Sequence, residues 1–443
     1  MVESGQRERE GGPVSGRLNS FQRAMLQWNG LHPYNAVHVA RIAAAIDPAR
    51  LAARAAHVLD EAGLTNYSVE ERRGAYRYEG GTVEVEPLVL EGGDAPLAVV
   101  HREMERQVNE PFPCQGTFQP FRWFLVRGEG ECFIGLSYFH AVADAESVGR
   151  LLREVVSACS DEAPRPLRDR GLARRGNSPL PLGDPVSLAR RMVASCRKRG
   201  RMRRSHRPPG NRAGDFRSGW FGRSLDPRET ASVLALAKRH GATVNDLSLA
   251  AMILALSPVA ERRFEEERRR NLSAGCVVNL RSDLPTRRRE DFGLFLGSFS
   301  VSHAAPLGLG LAGLLDDIHR QTEEVKRIKF YLAARAEFFV ARLVFERQSE
   351  EKRPHFYHKV YPVWGGVTNF RMDGFGGAAP GPVTDYYRAV STGPAVPFIV
   401  GVTGFEGRIH FGFTHREAVI PKEAAEGVAE RFLDLVLEKG GEA

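Results

Sequence analysis

The chain has 443 residues, a formal net charge of +8, 42% apolar residues and 26% charged residues. These proportions exclude an intrinsically disordered chain, and the length predicts two domains or subdomains because it exceeds what one ordinary hydrophobic core supports. Residues 1–20 lack the apolar core of a signal peptide, and no apolar stretch is long enough to span a bilayer. The five cysteines are scattered without a Cys-x-x-Cys pair, so we expect reduced thiols in a cytoplasmic protein.

The first half of the chain alternates helix and strand patterns. Apolar periodicity predicts helices at 21–28, 48–63 and around 97–108, and strands at 67–72, 75–78, 82–85, 121–126 and 132–139. The segment Arg-Gly-Glu-Gly-Glu at 127–131 indicates a hairpin between the last two strands.

The second strand of this hairpin leads directly into His140, and Asp144 lies four residues further on, ahead of a helix pattern. A side chain at such a strand-to-helix corner can leave a rigid scaffold and reach into a cleft. His140 is therefore a candidate general base. A single histidine in an apolar setting is more often an ordinary core or surface side chain, and the residues alone leave that alternative open.

Residues 161–216 change in composition to Pro, Arg, Gly and Ser, which indicates a connection between two halves. Nine basic residues fall between positions 190 and 207, namely Arg190, Arg191, Arg197, Lys198, Arg199, Arg201, Arg203, Arg204 and Arg207. Such a run attracts phosphates, anionic lipid or an acidic protein surface, but block charge is more often a solvated connector. We therefore favour a linker that carries one short basic helix near 185–199.

The second half of the chain again mixes helices and strands. The patterns predict strands at 220–225, 276–280, 363–370, 389–391, 397–403 and 408–414, and helices at 227–240, 311–326, 330–345 and 421–438. Thr243, Asn245 and Asp246 open a further apolar helix that reaches Leu256, as N-cap preferences favour. These patterns predict α/β or α+β layers in both halves, without a solenoid repeat.

Residues 139–145, Phe-His-Ala-Val-Ala-Asp-Ala, resemble the His-His-x-x-x-Asp-Gly motif of the chloramphenicol-acetyltransferase-like superfamily of acyl-thioester-dependent acyltransferases. The superfamily includes nonribosomal peptide condensation domains, polyketide-associated acyltransferases, plant alcohol acyltransferases and wax ester synthases. Phe139 and Ala145 stand where the motif has its first histidine and its glycine, and Ser298 replaces the asparagine of a later Gly-Asn pair. Other segments resemble the superfamily's motifs in the same order, at 19–26, 242–251, 278–284, 295–298, 404–414 and the final helix.

The resemblance implies an α/β (α+β) fold of two chloramphenicol-acetyltransferase-like subdomains that form a V, with a tunnel at their interface. It divides the chain into a polar tail at 1–18, an N-terminal subdomain at 19–160, the basic linker at 161–216 and a C-terminal subdomain at 217–443.

The resemblance also implies an acyltransferase with His140 as general base. The base would act while an alcohol or amine acceptor attacks an acyl thioester carried on coenzyme A or on the phosphopantetheine arm of an acyl carrier protein. That thioester is a co-substrate, and we expect no permanently bound cofactor. Asp144 is implied to turn away from the tunnel and to pair with Arg281, which would hold the corner that displays His140.

Negative charge that develops on the attacked thioester carbonyl needs hydrogen-bond donors. The candidates are Thr368 and Asn369 in one predicted strand, and Ser391 and Thr392 ahead of a Gly-Pro pair at 393–394. Each of the four, taken alone, is more simply an ordinary strand-end side chain.

A metal site is not expected. His355 and His358 are three residues apart and could touch one ion, but no third ligand accompanies them in the sequence.

Two further hypotheses concern partners. Because Phe139 and Ala145 depart from the motif, the chain could instead be a catalytically silent protein that binds an acyl carrier protein or an acyl-loaded partner. The basic residues could dock an acidic carrier protein or contact an anionic membrane, and the candidates are Arg197, Lys198, Arg199 and Arg201. Without interleaved aromatic residues or a recognisable module, the basic run predicts no specific nucleic-acid binding.

Overall fold

The computed structural model describes residues 14–159, 185–210, 215–372 and 383–438. In these residues the α-helices are α1 (Ser20–Asn29), α2 (Pro48–Glu61), α3 (Pro96–Asn109), α4 (Ala145–Ala158), α5 (Pro185–Arg204), α6 (Pro227–Arg239), α7 (Val244–Leu256), α8 (Leu311–Arg327), α9 (Ala334–Glu346), α10 (Phe356–Val360) and α11 (Lys422–Leu437). The strands are β1 (Val14–Arg17), β2 (Asn35–Ile42), β3 (Tyr67–Glu70), β4 (Ala75–Tyr78), β5 (Leu88–Glu91), β6 (Thr117–Phe118), β7 (Phe121–Arg127), β8 (Cys132–Phe139), β9 (Ser218–Ser224), β10 (Leu272–Asn279), β11 (Leu296–His303), β12 (Gly365–Met372), β13 (Val383–Val390), β14 (Phe398–Phe405) and β15 (Arg408–Arg416).

Within this described part, the strands form sheets of four, five and six strands. The orders are β1-β4-β3-β6, β13-β2-β8-β7-β5 and β11-β10-β12-β14-β15-β9. The apolar face of the six-stranded sheet packs in one core with residues of α7, α8 and α11. The predicted hairpin is present, because β7 pairs antiparallel with β8, and β14 and β15 form a second antiparallel pair.

The five-stranded sheet is covered on both faces. Successive residues of a strand point to opposite faces, so Val37 and Val39 of β2 pack in a cluster with Val100 of α3, whereas Ala36 and Ala40 belong to the cluster that contains α2 and α4. Burial on both faces explains why β8 reads as a continuous apolar run, since every residue of it is buried.

One strand of the second half belongs to the sheet of the first half. β13 pairs antiparallel with β2, from Val383 opposite Ile42 to Val390 opposite Ala36. The sequence boundary at 217 assigns this strand to the C-terminal subdomain, but its hydrogen-bond partner lies in the N-terminal one. The two halves are therefore joined by a shared sheet as well as by side-chain packing.

The basic segment after residue 184 is a 20-residue helix, longer than the predicted 185–199, and it packs on the second half. Ala194 of α5 is buried in the core of that half, and Arg191 Nε donates to the carbonyl oxygen of Ile328 at 3.0 Å. Ser205, just after the helix, forms a bridge with Asn271. The described part of the predicted linker is thus built into the second half, while its residues 161–184 lie outside the described ones.

One predicted strand is wrong. Residues 82–85 have irregular backbone, and the strand that pairs with β7 is β5, a few residues later. The sequence prediction also missed β1, β2, β6, β11 and the short helix α10. No helix among the described residues has the length and apolar character that crossing a membrane requires.

Candidate active site

A cavity of about 200 Å³ lies where the two halves of the chain meet. Trp28, Tyr34 and Tyr138 of the first half contribute to its wall, as do Phe338 and Val367 of the second half. Its position at the junction and its aromatic and aliphatic wall are typical of a small-molecule site.

His140 lies in the wall of this cavity and is buried. The chain turns at the end of β8, and the backbone N–H of His140 donates to the carbonyl oxygen of Tyr34 at 3.2 Å. Gln22 of α1 donates from Nε2 to the carbonyl oxygen of Ala141 at 2.8 Å. Both bonds tie the corner to neighbouring elements, so the imidazole has a fixed position.

The hydrogen bonding of His140 defines its tautomer. Nδ1 lies 3.2 Å from the carbonyl oxygen of Ala143. Because a carbonyl oxygen only accepts, Nδ1 carries the hydrogen, and Nε2 of the neutral ring holds a lone pair. Tyr34 stacks on the imidazole with centroids 5.4 Å apart, and Tyr138 meets it edge-on. Nε2 is therefore the proton acceptor of this ring.

Burial lowers the pKa of His140 from 6.5 to about 4. The hydrogen bond to Ala143 raises this pKa by a smaller amount, and the positive charge of Arg388 lowers it further. The ring is therefore neutral at pH 7, which is the form that a general base requires.

Asp144 and Arg281, which the superfamily resemblance pairs, are in contact. Arg281 Nη2 donates to Asp144 Oδ1 at 2.9 Å and to Oδ2 at 3.0 Å, and both side chains are buried. Asp144 also caps α4, because Oδ1 accepts from the backbone N–H of Ser147 at 2.9 Å. Phe295 donates its backbone N–H to Oδ2 at 3.0 Å. Both oxygens of the carboxylate are thus occupied by donors from Arg281 and from the backbone.

Ser147 and Gly293 strengthen the same junction, and the sequence analysis missed both. The Ser147 hydroxyl accepts from Arg281 Nη2 at 2.6 Å and donates to the Gly293 carbonyl oxygen at 3.0 Å. The Asp144 backbone N–H donates to that same carbonyl oxygen at 3.0 Å. A hydroxyl in the first turn of a helix that follows a capping aspartate was the available signal.

Phe139, which stands in place of the first motif histidine, is not among the residues that line the cavity. Its side chain is fully buried and packs against Phe118 and Phe112, with ring centroids 5.8 and 6.2 Å apart. Neighbouring residues at the end of a strand point to opposite sides, so Phe139 enters the core where His140 enters the cavity. The phenylalanine at this motif position therefore contributes to the hydrophobic core and not to the cavity wall.

Three of the four candidate oxyanion residues line the cavity, namely Thr368, Asn369 and Thr392. Ser391 does not line it, because its hydroxyl donates to the carbonyl oxygen of Pro33 at 3.1 Å and its side chain is buried.

Arg388 of β13 lines the cavity and was missed by the sequence analysis. It is 6% exposed, and its Nη2 donates to the carbonyl oxygen of Thr368 at 3.0 Å. Burial lowers the pKa of its guanidinium to about 10. A charged residue inside the pattern Tyr-Tyr-Arg-Ala-Val was the available signal, but the predicted strand 389–391 began after it.

The four candidate docking residues lie on α5 and differ in exposure. Arg199 is exposed, and Arg197 is largely exposed although it pairs with Glu324 at 3.3 Å. Arg201 donates to Gln321, and Lys198 pairs with Glu337 in the wall of the cavity. Arg197 and Arg199 are therefore the accessible pair, whereas Lys198 belongs to the cavity.

Solved structures of condensation domains match nearly the whole chain. The condensation domain of the Monacolin K polyketide synthase MokA superposes with a TM-score of 0.66 at 12% identity and covers 96% of this chain and 97% of that chain. The first condensation domain of the calcium-dependent antibiotic synthetase, in complex with a substrate analogue, gives a TM-score of 0.63 at 17% identity, with 97% and 98% covered. A variant of the starter condensation domain of rhizomide synthetase RzmA, in complex with C8-CoA and Leu-SNAC, gives 0.63 at 16% identity, with 96% and 94% covered.

These likenesses define the class of fold. The chain has the fold of condensation domains, and the predicted α/β (α+β) fold of two subdomains is confirmed. Neither a protein-family model nor a curated protein matches the sequence. At these identities the structural likeness concerns the fold, and the chemistry has to be argued from the site itself.

Proposed function

We propose that this protein is an acyltransferase that moves an acyl group from a phosphopantetheine thioester to an alcohol or amine, with His140 as general base. The observation that carries the proposal is a neutral imidazole in the wall of a cavity between two halves, with Nδ1 bonded to Ala143 and Nε2 left as the acceptor. A buried junction of this kind holds two reactants together in a site with little water.

In the proposed reaction, each proton transfer has a defined donor and acceptor. Nε2 of His140 takes the proton from the acceptor O–H or N–H while the oxygen or nitrogen forms a bond to the thioester carbonyl carbon. The tetrahedral intermediate then collapses, the carbon–sulfur bond breaks, and the imidazolium returns its proton to the leaving thiolate. Both states of the ring keep the Nδ1–H bond to Ala143.

Negative charge on the intermediate needs stabilisation, and Thr368, Asn369 and Thr392 are the proposed donors on the cavity wall. Thr392 Oγ1 lies 3.2 Å from Ser218 Oγ, which could orient its hydroxyl.

The donor is proposed to be a thioester of coenzyme A or of an acyl carrier protein. The RzmA starter condensation domain, which shares the fold, was solved with C8-CoA, and that supports a thioester donor here. For a carrier protein, the exposed basic residues Arg197 and Arg199 on α5 are a proposed docking surface, since Lys198 on the same helix lines the cavity.

The test follows thiol release from coenzyme A thioesters of several chain lengths, with and without alcohols and amines, and identifies the product by mass. His140→Ala should lower the acceptor-dependent rate by about 100- to 10,000-fold. His57→Ala is the matched control, because this half-exposed histidine on α2 is paired with Glu61, and it should leave the rate unchanged.

Full activity of a folded His140→Ala protein would contradict the proposal. Tight binding of an acyl-loaded carrier protein, without turnover for any acceptor, would instead favour the catalytically silent alternative.

A further inference from the structure

Arg388 is a buried cation in the cavity wall that has no carboxylate partner among the described residues. Its guanidinium makes one hydrogen bond to these residues, from Nη2 to the Thr368 carbonyl oxygen at 3.0 Å. Its Cζ also lies 5.2 Å from the ring centroid of Phe370. A guanidinium has five N–H donors, so most of the hydrogen-bonding capacity of Arg388 is uncommitted to the described part of the chain.

Two other buried arginines of this protein are used more fully. Arg263 donates to the Ser257 carbonyl and hydroxyl oxygens and to the Ala305 carbonyl oxygen, at 2.7, 2.6 and 2.8 Å. Arg281 is paired with Asp144 and bonded to further oxygens. Buried charges are stable when they are paired or hydrogen-bonded, so the contrast indicates that Arg388 meets its partner when the cavity is occupied.

The shared sheet places this cation beside the catalytic corner. Val390 of β13 lies opposite Ala36, and Ala36 lies opposite Tyr138. Arg388 is two residues from Val390, so its side chain leaves the sheet on the same face as Tyr138, whose ring contacts His140. The second half of the chain thus delivers a positive charge to the first half through β13.

We propose that Arg388 binds a carboxylate group of a substrate next to the reacting thioester. The inference rests on the acyl transfer proposed above and specifies its substrate class. A phosphate of coenzyme A or of a carrier arm lies a full pantetheine length from the thioester carbonyl, which must reach His140, so the anion at Arg388 belongs to the reacting molecules themselves. It is either a second carboxylate on the acyl chain or the carboxylate of an amino-acid or hydroxy-acid acceptor, and guanidinium bonds to carboxylate are among the stronger hydrogen bonds in proteins.

The experiment measures binding without turnover in the His140→Ala protein by isothermal titration calorimetry. One pair of ligands tests the donor and compares glutaryl-coenzyme A with pentanoyl-coenzyme A; a second pair tests the acceptor and compares leucine with leucinamide. In the pair that matches the true substrate, the compound with the additional carboxylate should bind about 10- to 100-fold more tightly than the compound without it. Adding Arg388→Met should abolish this preference, and adding Arg388→Lys should keep part of it, because the charge remains while the planar fork is lost.

The matched control is Arg122→Met. This guanidinium lies over the Phe112 ring, bonds to backbone carbonyls and does not line the cavity, so its loss should leave the preference intact. The inference is overturned if neither pair of ligands shows a carboxylate preference with Arg388 present, or if a folded Arg388→Met protein keeps the preference. If the protein binds carboxylates selectively but the native protein turns over no thioester, the proposed acyl transfer is contradicted while the role of Arg388 stands. Failure of the proposed function and failure of this inference are therefore distinguishable.

Discussion

Arg281 Nη2 lies 2.9 and 3.0 Å from the two carboxylate oxygens of Asp144. This contact joins the corner at His140, helix α4 and the second half of the chain. Asp144 stands at the start of α4 and at the end of the corner that holds His140, while Arg281 follows β10 of the second half. One buried ion pair therefore fixes the corner that displays His140 to the opposite half of the chain.

Asp144→Ala should lower the free energy of unfolding by about 3–5 kcal/mol, because it leaves Arg281 buried without its partner and removes the cap of α4. Acceptor-dependent thiol release should fall with it, since the corner is no longer held. Arg281→Lys should lose less, because the charge is kept and only the geometry changes. Chemical denaturation of the three proteins checks this, and an unchanged midpoint for Asp144→Ala would refute the role.

The pH dependence of kcat/KM should reflect the burial of His140. Since its pKa is lowered to about 4, the ring is already in its basic form at every pH above about 5. The acid side of the profile should therefore be flat from pH 8 to about pH 5.5 and fall only toward pH 4. A profile that loses half of its activity near pH 6.5 would show that the base is an ordinary exposed histidine.

Acid stability should depend on His410, whose pKa burial lowers to about 3. The unfolded ring titrates near 6.5, so below that pH the unfolded chain binds a proton that the native ring does not, and stability falls as the pH drops from about 6.5 toward 4. His410→Phe removes this contribution and should flatten the slope by at most about 1.4 kcal/mol per pH unit. His57→Phe, at a half-exposed position on α2, is the control for replacing a histidine outside the core. Urea unfolding at several pH values measures both, and equal slopes for wild type and His410→Phe would contradict the assignment.

The elements that local signals specify were predictable from the sequence. Thr243 and Asp246 form the capping box of α7, and Asn19 with Gln22 forms that of α1, as side-chain chemistry at those positions favours. The corner at His140 was predictable for the same kind of reason, because a buried strand, a capping aspartate and a helix follow one another within a few residues. The pairing with Arg281 needed the superfamily resemblance, since 137 residues separate the two side chains.

The elements that depend on distant partners were not predictable in this way. β2 contains His38 and Arg41, which break its apolar pattern, and only the sheet neighbours β8 and β13 make it a strand. Residues 82–85 alternate between apolar and polar side chains as a strand would. However, Gly80 and Gly81 before them have φ of 75° and 88°, and no strand of the described sheets pairs with residues 82–85. The position of Arg388 in the cavity wall could not be predicted, because it depends on the pairing of β13 with β2 in the sheet of the first half.

Docking of a carrier protein should depend on the two exposed arginines of α5. Arg197→Ser combined with Arg199→Ser should raise the KM for an acyl carrier protein thioester about 5- to 10-fold at low salt and weaken its salt dependence, because exposed charges steer association. The KM for the matching coenzyme A thioester should stay unchanged. Arg72→Ser with Arg73→Ser, an exposed pair in the turn between β3 and β4, is the control. Equal carrier KM values in both double variants would show that α5 takes no part in docking.

Gly135 lies in the middle of β8, five residues before His140, and its register partner on β7 is Phe124. A Cβ atom at this position would come within 2.0 Å of the Phe124 ring, which is fully buried and has little room to move. Gly135→Ala should therefore destabilise the protein by about 1–3 kcal/mol through overpacking. Because the strand carries the catalytic corner, acyl transfer should fall as well. Adding Phe124→Leu should recover part of both losses, since the smaller side chain makes space for the methyl group. A thermal denaturation midpoint that Gly135→Ala leaves unchanged, or that Phe124→Leu lowers equally in both backgrounds, would contradict this close packing behind His140.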